Sequence, residues 1–422
     1  MKQFKTVLST VNDFIINFLK KYWFYIALAL VVVLGVLVRI PLYTKRSGDF
    51  TNYLNPWYEQ LYANPKAFLA NGDGDYTPTY MYFLVFFSWF KIAPGSDSLL
   101  YAIKTLSVLF DFGTSFLIFW MLKFTLKKND AITLLGVFLA LFVPQILLNS
   151  AFWGQCDSIY CFFIVLAVFL ILKKQPLWSA VAFGVSFAFK LQSVFFFPVL
   201  LLLWLNKKYH FWHFFLIPVV YIVLMVPAMI CGRSFISCIS VYNGQMKEYV
   251  YLSLNAPTIY AFMYRNMFGN ESVTQHLVPA ATIFGLTNIA VLCIYIFLTH
   301  KDIQFEDIIK ISFLITLFAP YVLPKMHERY FYLAEVFAVL HLVFNPKKFY
   351  ISLLAIAGSF QGYNNYLFNT YYFNDSNINL MVGATLIGAA LVLLCIDVFK
   401  GKTPSFKNES KEKLEEQKTP NQ

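Results

Sequence analysis

Four polar clusters interrupt an otherwise apolar chain, and their residue types suit acid–base and phosphate chemistry. A carboxylate embedded in a membrane protein is costly unless it has a partner or a task, and a positioned carboxylate can take the proton of a hydroxyl group. Lys, Arg and His side chains can neutralise a phosphate. The clusters are Asp49 after the first apolar run, Gln155 and Asp157 within 153–160, Lys190 and Gln192 within 188–193, and Lys325, His327, Glu328 and Arg329 within 323–330.

Composition indicates the environment in which these clusters lie. The chain has 422 residues, of which 59% are hydrophobic and 13% charged, whereas soluble domains carry roughly 25% charged residues. The mean hydropathy is +0.61. These values predict an all-α polytopic membrane protein. The net charge of +11 fits cytoplasmic loops facing anionic lipid better than it fits a nucleic-acid partner.

Apolar runs predict about twelve transmembrane helices. Most of the 33 Lys and Arg residues fall on the N-terminal side if the short aromatic run 79–93 does not cross, so the positive-inside rule places both termini in the cytoplasm. The run 79–93 is then an interfacial or re-entrant helix. The predicted spans are 23–43, 99–122, 131–149, 159–172, 177–190, 193–206, 212–231, 280–299, 306–323, 330–345, 349–363 and 380–399.

This topology groups the four clusters on the outer side of one transmembrane domain, residues 1–399. Two large outer loops, 44–98 and 232–279, accompany them, and the first contains a mixed aromatic and polar stretch around Tyr53 and Trp57 that is typical of an interfacial helix. The polar segment 400–422 is expected to be a disordered cytoplasmic tail.

Each cluster also has a simpler structural interpretation. Asp49 and Asp157 could cap the helices that follow them, Lys190 could extend its ammonium group to the membrane surface, and 323–330 could be a charged hairpin. Lys104 and Asp111 lie one to two helical turns apart within the second span and could form an ion pair.

The clusters, in this order, resemble those of the GT-C superfamily of integral-membrane glycosyltransferases. The specific motifs are Trp153-Gly-Gln-x-Asp-Ser-Ile-Tyr, Phe189-Lys-x-Gln and His327-Glu-Arg-Tyr. Within this superfamily, these motifs resemble those of bacterial relatives of the second mannosyltransferase of GPI-anchor assembly. The chain is more distantly similar to the dolichyl-phosphate-glucose glucosyltransferases of N-glycan assembly. The resemblance covers about the first ten spans.

The resemblance implies the GT-C fold and an inverting transfer of a hexose from a polyprenyl-phosphate donor, on the extracytoplasmic face, to an acceptor hydroxyl. It also implies that the aspartate of the first outer loop, Asp49, is the catalytic base. Many members of the superfamily carry paired acidic residues at this point, whereas this chain has a single one, so Asp73 and Asp75 remain alternative bases.

Charge balance and position assign the remaining roles. We expect the donor phosphate to bind Lys190, His327, Arg329 and Lys325. Fixed cations would stabilise the negative charge of the departing lipid phosphate, so neither a metal nor another cofactor is expected. The residues expected to bind the sugar or the acceptor are Gln155, Asp157, Trp153, Gln192, Tyr53, Trp57 and Glu328.

Other activities remain open. A flippase or transporter would carry polar residues near the middle of the membrane, and a polysaccharide polymerase or ligase would carry an Arg-rich outer loop, whereas 232–279 contains only Arg233 and Arg265. We expect a multi-pass protein of a bacterial plasma membrane that takes part in cell-surface or cell-wall glycan assembly. The sequence leaves open the sugar, the linkage, the acceptor (a glycan, a lipid-linked molecule or a protein) and the oligomeric state.

Overall fold

The computed structural model describes residues 2–263, 271–372 and 375–402, and these residues are predominantly helical. The tail beyond 402 and residues 264–270 of the second large loop lie outside the described ranges. The α-helices of the first half are α1 (Lys2–Leu37), α2 (Asn55–Ala63), α3 (Pro65–Asn71), α4 (Pro78–Trp89), α5 (Asp97–Trp120), α6 (Asp130–Phe142), α7 (Pro144–Leu147), α8 (Asp157–Leu172), α9 (Pro176–Phe189) and α10 (Phe197–Leu205). Those of the second half are α11 (His213–Ile230), α12 (Phe235–Ile239), α13 (Val241–Glu248), α14 (Glu271–Thr299), α15 (Phe305–Val322), α16 (Tyr332–Phe344), α17 (Phe349–Phe368) and α18 (Ser376–Phe399).

Shorter segments connect these helices and carry much of the polar chemistry. A two-stranded parallel pair joins β1 (Ser253–Leu254) to β2 (Met326–His327). The π-helical segments are Phe50–Leu54, Met121–Thr125 and Leu148–Trp153. The 3₁₀ segments are Ile40–Leu42, Leu191–Phe196, Ile259–Phe262, Glu328–Phe331 and Pro346–Lys348.

Five helical stretches among the described residues are long and apolar enough to cross a membrane, and a sixth is obtained if α6 and the segment after it, bent by 48°, count as one. Every predicted span coincides with a helix, but several of these helices are short. For example, α9 has 14 residues and α16 has 13, which correspond to about 21 and 20 Å at 1.5 Å per residue. Helix length and composition therefore show a multi-pass membrane protein without fixing the number of crossings at twelve.

Two ion pairs identify one end of the helix bundle. At this end, Lys208 pairs with Asp302 at 3.0 Å and Lys310 pairs with Asp397 at 3.2 Å, so the loops after α10 and α14 lie near the end of α18. The polar clusters all lie at the other end, which we call the site end.

The first outer loop stays at the site end throughout. Arg46, before α2, pairs with Asp97, at the start of α5, at 2.7 Å, and the Asn55 side chain accepts a hydrogen bond from the Gly95 amide at 2.5 Å. Both ends of the loop are therefore held together, and the 12 residues of α4 span only about 18 Å. The run 79–93 thus returns to the end from which it started, as the charge pattern predicts.

The expected pair between Lys104 and Asp111 is wrong. Asp111 instead pairs with Arg39 at 3.1 Å and accepts hydrogen bonds from Ser150 and Tyr332. Lys104 points along α5 towards the site end. The two side chains separate because each finds a closer partner on a neighbouring segment.

Candidate functional site

A cavity of about 250 Å³ opens at the site end, and residues from three of the four polar clusters line it. The fourth cluster lies directly behind the wall, where Gln155 bonds to Asp49 and Asp157 pairs with Lys190. Its walls combine charged groups with many aromatic rings, a composition suited to a sugar bearing an anionic group. The lining residues are Gly48, Asp49, Asn52, Tyr53, Leu54, Trp57, Asp75, Tyr76, Lys190, Gln192, Gln245, Glu248, Tyr249, His327, Arg329, Tyr330 and Tyr366.

Asp49 presents its carboxylate to this cavity. One oxygen accepts a hydrogen bond from Tyr366 Oη at 3.1 Å, and the other accepts one from Gln155 Nε2 and lies 3.5 Å from Arg329 Nη1. The carboxylate makes no capping hydrogen bond to the following π-helical segment, and 17% of the side chain is exposed. These contacts hold a carboxylate at the cavity wall and disfavour the simple capping role.

Gln155 reaches Asp49 because the chain reverses direction just before it. Gly154 adopts a left-handed conformation at φ +80° after the π-helical segment, and the amide of Gln155 then donates to the carbonyl of Asn149 at 2.9 Å. The side-chain oxygen Oε1 of Gln155 accepts a hydrogen bond from Tyr76 Oη at 3.3 Å. Gln155 therefore orients Asp49, and its own orientation is fixed by Tyr76.

Asp157 and Lys190 form a buried ion pair beside the cavity. Lys190 Nζ lies 2.6 Å from Asp157 Oδ1, and Asn149 donates to the other carboxylate oxygen at 3.0 Å. Asp157 is fully buried and Lys190 is 5% exposed, so Lys190 does not extend to the membrane surface. A buried charge without its partner is costly, so the ammonium group of Lys190 stays beside the carboxylate of Asp157.

His327 lies in the cavity wall through its position on β2. Its ring meets those of Tyr249 and Tyr330 edge-on, with centroids 4.9 and 5.1 Å apart. Burial, together with the nearby cations Arg329 and Lys190, lowers the pKa of His327 well below its usual value. The imidazole is therefore neutral near pH 7, so His327 brings no positive charge to the phosphate that it was expected to bind.

Arg329 lies between two carboxylates. Its Nη1 is 3.5 Å from Asp49 and 3.7 Å from Glu328, and its guanidinium carbon lies 5.4 Å from the ring centre of Trp153. Glu328 is 1% exposed and neither of its carboxylate oxygens has a hydrogen-bond partner. Burial raises the pKa of Glu328 to about 7. The stretch 323–330 is therefore a packed part of the site and not an exposed hairpin.

The remaining predicted residues lie at different distances from the cavity. Gln192, Tyr53 and Trp57 line it. Trp153 is fully buried behind the wall, where its ring stacks on Tyr366 at 4.9 Å. Lys325 is outside the lining and donates to the carbonyl of Met246 at 2.8 Å.

The two alternative bases, Asp73 and Asp75, differ in their position relative to the cavity. Asp75 lines the cavity, whereas Asp73 is exposed and does not. Asp75 does not share the contacts of Asp49 with Gln155 and Tyr366. These positions favour Asp49 as the carboxylate around which the site is built.

Several lining residues were not predicted as site residues. Tyr366 lies near the end of α17, where a tyrosine is typical of a membrane interface, although the polar run Gln361-Gly-Tyr-Asn-Asn-Tyr that contains it was a usable signal. Gln245, Glu248 and Tyr249 belong to the second large loop, whose return to the site only the fold shows.

Comparison with known proteins identifies the family. The model of glycosyltransferase family 87 matches residues 76–303, more than half of the chain. The chain belongs to glycosyltransferase family 87. No curated protein matches this family 87 chain. The matched range contains Gln155, Asp157 and Lys190, whereas Asp49 and the stretch 323–330 lie outside it. The prediction of a membrane glycosyltransferase of the GT-C type is therefore confirmed at that level.

Proposed function

We propose that this family 87 protein transfers a hexose from a polyprenyl-phosphate donor to an acceptor hydroxyl, with inversion at the anomeric carbon. One observation carries the proposal: Asp49, Lys190 and Arg329 face the same 250 Å³ cavity. A base for the acceptor and cations for the leaving phosphate are thus available within one site.

Asp49 acts as the base. As the acceptor oxygen attacks the anomeric carbon, its proton passes to the Asp49 carboxylate, and the bond from that carbon to the phosphate oxygen breaks on the opposite face. A positioned base of this kind contributes roughly 10²–10⁴-fold in rate. Gln155 and Tyr366 hold the carboxylate by the hydrogen bonds described above, so little reorganisation accompanies the step.

Lys190 and Arg329 stabilise the departing polyprenyl phosphate. Cations that are already fixed by burial act strongly on developing charge because they need not reorient. His327 adds a neutral hydrogen-bonding group, and Tyr53, Trp57 and Gln192 contact the sugar or the acceptor. The charge is balanced by side chains, so the proposed reaction needs no metal ion.

The proposed orientation places the cavity outside the cytoplasm, with twelve crossings and both termini inside. The positive-inside rule supports this orientation, because the opposite end of the bundle carries lysine-rich loops such as those at Lys173, Lys207 and Lys347. We also propose that the protein lies in a bacterial plasma membrane and takes part in the assembly of cell-surface or cell-wall glycans. Its donor would resemble that of a mannosyltransferase.

Replacing Asp49 with Asn tests the proposal. Membranes containing each variant are incubated with labelled polyprenyl-phosphate mannose, glucose or galactose, and the label transferred to endogenous acceptors is measured. We expect the Asn variant to lose about 10²–10⁴-fold in kcat. Asp73→Asn, an exposed change in the same loop, serves as the control and should retain activity. Near-wild-type turnover by Asp49→Asn would remove Asp49 as the base.

A further inference from the structure

Lys104 is a buried cation for which the reaction above has no direct use. It lies in α5, is 0% exposed and forms no ion pair with any carboxylate in the described ranges. Its Nζ instead donates to three backbone carbonyls, those of Leu42 at 2.9 Å, Tyr43 at 3.1 Å and Lys45 at 2.5 Å. A charge so buried needs compensation, and these carbonyls supply it.

The three carbonyls belong to the segment that leads from α1 to Asp49. The helix α1 ends at Leu37 and a 3₁₀ turn follows at Ile40–Leu42, so the next carbonyls have no helical amide partners. The carbonyl of Leu42 accepts from the Lys45 amide at 3.2 Å as well as from Lys104. An ammonium group carries three donors and binds the three carbonyls at once. Lys104 therefore acts as a cap supplied by a neighbouring helix.

Two further contacts connect this capped turn to the carboxylate. Ser47 Oγ donates to the carbonyl of Trp153 at 2.9 Å and accepts from the amide of Phe50 at 3.2 Å. The stem of Lys104 lies under Gly154, where a Cβ would be 3.4 Å from Lys104 Cγ. Lys104 thus supports both the segment that carries Asp49 and the segment that carries Gln155.

We propose that Lys104 is a positioning residue that fixes the Asp49 turn against the Gln155 turn. The proposal rests on the proposed function only in that Asp49 is taken to be the base. Without the ammonium group, the carbonyls of Tyr43 and Lys45 lose this donor and that of Leu42 keeps only the Lys45 amide, so the turn moves away from Gln155. A base misplaced by about 1 Å can cost about 10²-fold in rate.

The test compares Lys104→Met with Lys104→Arg and with Lys66→Met, an exposed lysine of α3. In the labelled-donor assay, we expect Lys104→Met to lower kcat about 10- to 100-fold with little change in the KM for donor, while Lys104→Arg recovers most of the loss. In an Asp49→Asn background, adding Lys104→Met should cost less than about two-fold, because the group that it positions is already gone. The proposal would be overturned if Lys104→Met kept the wild-type kcat. It would also be overturned if Lys104→Met lowered kcat by the same factor in the Asp49→Asn background as in the wild type.

Hydrogen exchange separates this inference from the proposed function. Amides of residues 44–52 should exchange faster in Lys104→Met than in the wild type or in Lys66→Met, whether or not any donor is used. Unchanged exchange would refute the positioning role. A wild type that transfers none of the three sugars, combined with faster exchange in Lys104→Met, would overturn the proposed function and leave the capping role intact. Should the Met variant fail to fold, Lys104→Gln is used in its place.

Discussion

Replacing Glu328 with Gln should remove a decline in activity above pH 7. Arg329 Nη1 lies 3.5 Å from Asp49 and 3.7 Å from Glu328. At an effective dielectric constant of about 20, unit charges at these distances interact by about 4–5 kcal/mol. An ionised Glu328 therefore competes with Asp49 for Arg329 on nearly equal terms, and it adds negative charge beside the place where a phosphate must bind.

The size of the effect follows from the pKa of Glu328, which burial raises to about 7. A raised pKa means that the fold favours the neutral acid, so the effect develops as the pH rises through about 7. About nine tenths of the carboxyl groups are protonated at pH 6 and about one tenth at pH 8. If only the protonated form binds donor well, kcat/KM falls about ten-fold between these pH values. The phosphodiester of the donor carries a single negative charge throughout and does not contribute.

The assay is the pH profile of kcat/KM for a polyprenyl-phosphate hexose between pH 5.5 and pH 8.5. For Glu328→Gln, kcat/KM should vary by less than about two-fold between pH 6 and pH 8. The control Glu306→Gln, an exposed change at the start of α15, should show the same decline as the wild type. The reasoning fails if the wild-type profile is flat, or if Glu328→Gln keeps the same decline.

Two further predictions concern the donor phosphate. Lys190→Met alone leaves Asp157 buried without a cation to compensate its charge, a change that costs about 3–5 kcal/mol. The double variant with Asp157→Asn should therefore be the more thermostable of the two in detergent, yet both should show a raised KM for donor. A double variant with a wild-type KM would exclude Lys190 from phosphate binding. A chelator should leave the rate of transfer unchanged because Lys190 and Arg329 supply the positive charge, and a loss that Mg²⁺ restores would contradict this.

The helices and the grouping of the polar clusters could be predicted from the sequence. Long apolar runs determine where helices form, and lysine-rich loops indicate which ends lie together. For this reason Asp49, Gln155, Lys190 and His327, separated by up to 278 positions, could be placed at one end before any contact was known.

Side-chain pairing could not be predicted in the same way. The sequence offers only the spacing of Lys104 and Asp111 along one helix, which favours a pair between them. Their actual partners come from the segment after α1, the π-helical segment Leu148–Trp153 and α16. Lys325 looked like a phosphate ligand because it lies two residues from His327. The backbone turns at Lys325 with φ +64°, and its ammonium group bonds to Met246 outside the cavity.

The protonation states of His327 and Glu328 also could not be predicted from the sequence. His327 counted as a cation until its burial between Tyr249 and Tyr330 was known, and Glu328 counted as a sugar ligand until it proved to be enclosed. Both properties depend on solvent exclusion by distant segments, which spacing along the chain does not record.

The short central helix α16 has an electrical consequence. Its 13 residues cover about 20 Å, against about 30 Å for the hydrocarbon layer of a bilayer. Arg329 precedes one end, and near the other His341 lies 3.4 Å from Asp397. The charged groups near the two ends of α16 are therefore closer together along the helix than the thickness of a hydrocarbon layer. In the proposed orientation, a phosphate that descends to Arg329 crosses part of the transmembrane voltage.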